Sequence, residues 1–130
     1  MKSIEQVKTE YLNYLDDKLQ VSNKIITNLN VDGKNDEANL EKIRYNVYGI
    51  FKTLLLATEK KIQGKSKLAS EIADEFHKEY LATFDKIPTN WTQNFNKAKE
   101  HGNTTEMITE EIKLAVVDEL RESYITMIHE

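Results

Sequence analysis

Residues Leu40–Ala57 read LEKIRYNVYGIFKTLLLA, and this stretch decides the fold. Leu40, Ile43, Val47, Ile50, Phe51 and Leu54 recur at steps of one, three and four, the spacing that stacks side chains on one face of an α-helix. Tyr48, Leu55, Leu56 and Ala57 widen that face into a stripe that one neighbour cannot cover. The stretch is therefore expected to be the most buried helix, with contacts on two or three sides. Gly49 lies inside it, where glycine costs ~1 kcal/mol relative to alanine. Close approach of a neighbouring helix, or a kink, is the expected reason for it. Asp36 is expected to cap the start, and Lys60, Lys61 and Gly64 to close the end.

Working toward the N-terminus, Asn30–Asn35 reads as a turn, because Gly33 and the Asn and Asp residues tolerate left-handed backbone angles. Before it, Ile4, Val7, Tyr11, Leu15, Leu19, Ser22, Ile26 and Leu29 share one face of a helix from Ile4 to about Leu29. Ser3 and Gln6 have the spacing of a capping box.

Toward the C-terminus, a third helix is expected from about Ser66, carrying Leu68, Ala69, Ile72, Ala73, Phe76, Tyr80, Ala82 and Phe84. Pro88 disfavours helical angles in the residue before it, so the chain should bend near Ile87. A short fourth helix presents Trp91, Phe95 and Ala98 and stops at Gly102. A fifth starts after Asn103 or Thr104 and carries Ile108, Ile112, Ala115, Val116, Leu120, Tyr124, Met127 and Ile128. The expectation is an all-α fold, an up-down helical bundle of four long helices plus one short helix, in a single domain over residues 1–130.

The 130 residues carry a formal net charge of -4, and Arg44 and Arg121 are the only arginines. Acidic character and scarce arginine argue against nucleic acid as a partner. With no cysteine, disulfides and thiolate chemistry are excluded. The N-terminus has no apolar leader, and Leu54–Ala57 is too short to span a bilayer, so a cytoplasmic protein is expected.

Chemistry-bearing patterns fall short. Asn28, Asn30, Asp32, Gly33 and Asp36 occupy the early positions of a calcium-loop template, but Asn39 stands where its bidentate glutamate is required. His77, His101 and His129 lack the paired Glu-x-x-His units of carboxylate-bridged metal sites. Scattered glycines form no phosphate cradle, and no serine has an obvious histidine partner. Lys60, Lys61, Lys65 and Lys67, followed by Leu68–Phe76, suggest the first half of a helix-turn-helix, but His77–Leu81 reads as continuing helix. No metal or cofactor is expected.

Tyr45 and Tyr48 on the second helix, with Trp91 and Phe95 on the fourth, are the candidate partner-contact residues, since large aromatics anchor interfaces. The expected function is that of a small non-enzymatic helical protein acting through protein–protein contacts, as an adaptor, an immunity-type protein or a regulatory binding protein. Self-association as a homodimer is included. The alternative is a metal- or small-molecule-binding bundle with enzymatic activity, and a lesser alternative is a nucleic-acid-binding regulator.

Overall fold

The computed structural model describes residues 2–63 and 68–130. Its elements are five α-helices, α1 (Ile4–Val31), α2 (Asn35–Ile62), α3 (Ala69–Lys86), α4 (Thr89–Glu100) and α5 (Thr104–Ile128), with no strand among the described residues. The fold is all-α, built by helix-on-helix packing.

Capping chemistry sets the boundaries. The Ser3 hydroxyl accepts the Gln6 amide at 3.1 Å. The Gln6 side chain, however, turns to Glu10 at 3.5 Å instead of back to Ser3, so only half of the capping box forms. Two glycines end helices in the same way. Gly33 has φ +74° and Gly102 φ +68°. The amide after each reaches five residues back, Lys34 to Leu29 and Asn103 to Ala98, both at 2.8 Å. These are Schellman closures, which glycine accommodates without a Cβ clash. Asn103 then caps α5, its Oδ1 accepting the Glu106 amide at 3.2 Å.

Several expectations change. α1 runs to Val31, so the turn shrinks to Asp32–Lys34, and α2 begins at Asn35 with Lys34 at its cap. Asp36 lies inside the first turn, where its charge still complements the helix start. The calcium template loses its loop, because residues 28–31 and 35–39 are helical. Ile87 keeps right-handed helical angles, and the break falls on Pro88, at φ -78° and ψ 1°. Leu68 precedes α3 and is exposed, while Gly64, Lys65, Ser66 and Lys67 lie outside the described residues.

α2 packs on α1, α3 and α5, as its broad stripe requires. Leu54, Leu55 and Leu56 are half-buried, buried and exposed in turn, since consecutive residues on a helix point about 100° apart. Close approach does not explain Gly49: a Cβ added there meets nothing within 4 Å.

The core is a single cluster drawn from Val7–Leu15, Val47–Ile62, Phe76–Phe84 and Val116–Tyr124. Tyr11, Tyr80 and Tyr124 meet at its centre with ring centroids 4.9–5.9 Å apart in edge-on arrangements. Phe51 stacks on Phe84 at 4.6 Å. Each buried phenol has a partner: Tyr11 donates to the Leu120 carbonyl at 2.7 Å and Tyr80 to the Phe51 carbonyl at 2.9 Å. Tyr124 shares a hydrogen bond with His77 Nδ1 at 2.7 Å. These bonds join α1 to α5, α3 to α2 and α3 to α5, fixing helix register as well as satisfying buried groups.

Candidate interaction surface

The contact between α1 and α5 is a ladder that closes on polar rungs and opens on apolar ones. Tyr14 and Ser123 share a hydrogen bond at 2.8 Å. Four residues further along α1 and four back along α5, Lys18 pairs with Glu119 at 3.0 Å. Tyr48 of α2 meets the same glutamate at 3.5 Å.

Continuing by helical steps of three and four leads to Val21 and Ile25 on α1, and to Ala115, Ile112 and Ile108 on α5. From Tyr48 the same steps lead back through Arg44 to Leu40. These rungs are not closed. Val21 is 57% exposed, Ile25 39%, Leu40 36% and Ile108 41%. Ala115 is exposed as well, and Ile112 is half-buried.

The cause lies in α4. Among the described residues its close packing is on α5. The hairpin of α4 and the first half of α5, and the far end of the α1–α2 hairpin, therefore lie largely outside the core cluster. The far end holds only Ser22, Ile26, Ala38, Ala98 and Glu110 as buried residues, and none belongs to the core cluster. Beyond the packed base, the ends of the α1–α2 and α4–α5 hairpins, here termed the fork, expose isoleucine, leucine and valine. Burying one such side chain contributes roughly 1.5–3 kcal/mol, so an exposed set of them favours a covering partner.

The four aromatics singled out in the sequence do not form one patch. Tyr45 is exposed, while Tyr48 is buried against Glu119. Trp91 and Phe95 are half-buried on α4, with the Lys113 ammonium 5.4 Å from the Trp91 ring centroid. No ring contact joins the two pairs among the described residues.

Read from the sequence, Glu110 beside Glu111 belongs to a solvated helix face, and the structure overturns this. It is 2% exposed, between α4 and α5, with Oε1 accepting from Lys113 at 3.2 Å and Oε2 without a hydrogen-bond partner. Burial pushes its carboxyl above the usual value; Lys113 opposes the shift and Glu106 adds to it. Glu110, Val117 and Tyr124 are spaced by seven, so the position shares a face with core residues, which is the signal that could have found it. Lys113 thereby couples a buried acid on α5 to an aromatic ring on α4.

Among the described residues no group of three or more His, Asp or Glu side chains is placed to hold a metal. Burial holds His77 below the usual histidine range, with Asp74 raising it and His129 lowering it further. Residues 69–86 form one unbroken helix, as the reading of His77–Leu81 as continuing helix expects, and Lys61 is paired with Glu79 at 2.8 Å. A cavity of about 370 Å³ lies between α1, α2 and α3, but Lys8 within it is engaged by Glu5 at 2.8 Å and Glu59 at 3.2 Å. No helix among the described residues is long and apolar enough to cross a membrane.

No protein-family model matches this chain, and neither a curated protein nor a solved structure matches it.

Proposed function

We propose that this chain is a helical binding protein that works through protein–protein contacts, and that the fork is where it engages a partner. The observation that carries the reading is the exposure of Val21, Ile25, Leu40 and Ile108 beyond the closed contacts of Lys18 and Tyr48 with Glu119. An adaptor or a regulator that masks its target fits such a surface. The proposal includes one domain over residues 1–130 and a cytoplasmic setting, for which the acidic, cysteine-free composition is the support. It also includes the up-down arrangement. The successive pairs Lys2–Glu130, Tyr14–Ser123 and Lys18–Glu119 favour α1 and α5 running in opposite senses, and Lys8–Glu59 and Asp16–Lys52 favour the same for α1 and α2.

Site-specific photo-crosslinking in the source cell tests it. A photoreactive residue at Ile108 should give a discrete protein adduct that is lost when Val21 and Ile25 are changed to serine. The same residue at Thr53, on an exposed part of α2, should give none. Equal adducts from both positions, or none from Ile108, would overturn the reading.

A further inference from the structure

The walls of the fork are unequal in charge, and this selects the occupant. On α5 the stripe that carries Ile108 and Ala115 also carries Thr104, Glu111, Asp118 and Glu122, advancing by alternating steps of four and three, and every member is exposed. Its acids Glu111, Asp118 and Glu122 form no ion pair among the described residues. On α2, Asp36 and Glu37 lie one turn before Leu40 and are exposed too. The bases beside the fork are mostly committed, Lys18 to Glu119 and Arg44 to Glu41. On the α1 flank Asp17 and Lys24, seven residues apart, offset each other.

Both walls are helices, so the fork presents side chains and no strand edge. An extended peptide would gain no backbone ladder there, whereas a helix can set an apolar stripe between the walls. A second copy of this chain, related by a two-fold axis, would bring Glu111, Asp118 and Glu122 of each copy toward the other, and like charges at an interface are unfavourable.

We propose that the fork binds an amphipathic helix of a partner protein, with an apolar stripe flanked by lysine or arginine. The stretch from Ile108 to Ala115 spans about 10 Å along the helix axis, enough for roughly two turns of the occupant. This rests on the reading of the fork as the contact surface.

The test uses the whole chain, isotope-labelled for amide NMR, and two synthetic two-heptad helices with one leucine pattern, one flanked by lysine and the other by glutamate. The Leu/Lys peptide should shift amides of residues 21–29 and 104–118 selectively. Its affinity should fall about tenfold or more in the E111K/D118K/E122K variant and, with all charges kept, in I25S/I108S. The Leu/Glu peptide should leave those amides unmoved. Shifts spread over the whole acidic surface, or an unchanged affinity in I25S/I108S, would overturn the proposal. So would a dimer in sedimentation that I108S dissolves. An Ile108 crosslink in cells without Leu/Lys binding would remove the basic helix and leave the fork standing, whereas loss of both would remove the fork itself.

Discussion

Tyr11 on α1 donates its phenolic hydrogen to the Leu120 carbonyl on α5 at 2.7 Å, across 109 positions of sequence and with both residues fully buried. That carbonyl already belongs to a helix ladder, so removing the hydroxyl deletes a second bond without orphaning an acceptor. Tyr11→Phe should therefore cost only ~1 kcal/mol. Tyr11→Ala, which also empties a ring-sized volume beside Tyr80 and Tyr124, should cost ~3–5 kcal/mol. Urea denaturation of the two variants measures both, and a Tyr11→Phe cost near zero would show that the register bond contributes nothing distinct.

Gly49 offers the opposite sign. It sits inside α2 with open space where a Cβ would go and with no positive φ. Gly49→Ala should raise stability by ~0.5–1 kcal/mol through reduced unfolded-state entropy. A lowered thermal midpoint would mean that the open space is needed.

His77 ties stability to pH from the neutral side. Its ring is held below the usual histidine range chiefly by burial, so on acidification the unfolded chain takes up a proton before the native one. Native stability from this group is complete above the usual histidine value and drains away as pH falls toward the depressed native one. The stability advantage of the wild type over His77→Phe should shrink between about pH 7 and pH 5. A difference constant across that interval would show that His77 is not held neutral by burial.

Glu110 acts with the reverse sense. Burial raises its native carboxyl above 4.5, so its contribution is intact below that unfolded value and is lost as pH climbs through the native one. Glu110→Gln keeps the shape and removes the ionised form. It should stabilise the protein by ~1 kcal/mol at neutral pH, with the gain fading toward about pH 4. Thermal melts of both proteins across that range check it, and a loss of stability at neutral pH would mean that the charged pair with Lys113 is net favourable.

Much of the fold is legible from local chemistry. Ser3, Gly33, Gly102 and Asn103 mark helix ends because caps and left-handed glycines act within a few residues. Pro88 marks the break for the same reason, although the break falls on the proline itself and Ile87 keeps helical angles. Periodicity identifies which residues share a face, but not which part of that face finds a neighbour. Leu40 and Ile108 match the pattern of core residues and are nonetheless exposed, because nothing local reports that α4 has its close packing on α5. Tyr48 reads as a contact residue and is buried, because its acceptor Glu119 lies 71 positions away. Glu110 reads as solvated beside Glu111 and is buried, because an acid is assigned to the surface whatever its register.

The concentration of the aromatic cluster at one end has a mechanical consequence. Amides beside Phe51, Tyr80 and Leu120 should exchange with solvent only when the whole molecule unfolds, whereas those near Val31 and His101 should exchange by local opening. A protein graded in this way has a rigid anchor and compliant jaws. If the fork binds a helix as proposed, it could widen to suit the girth of that helix while the tyrosine-bonded base stays in register.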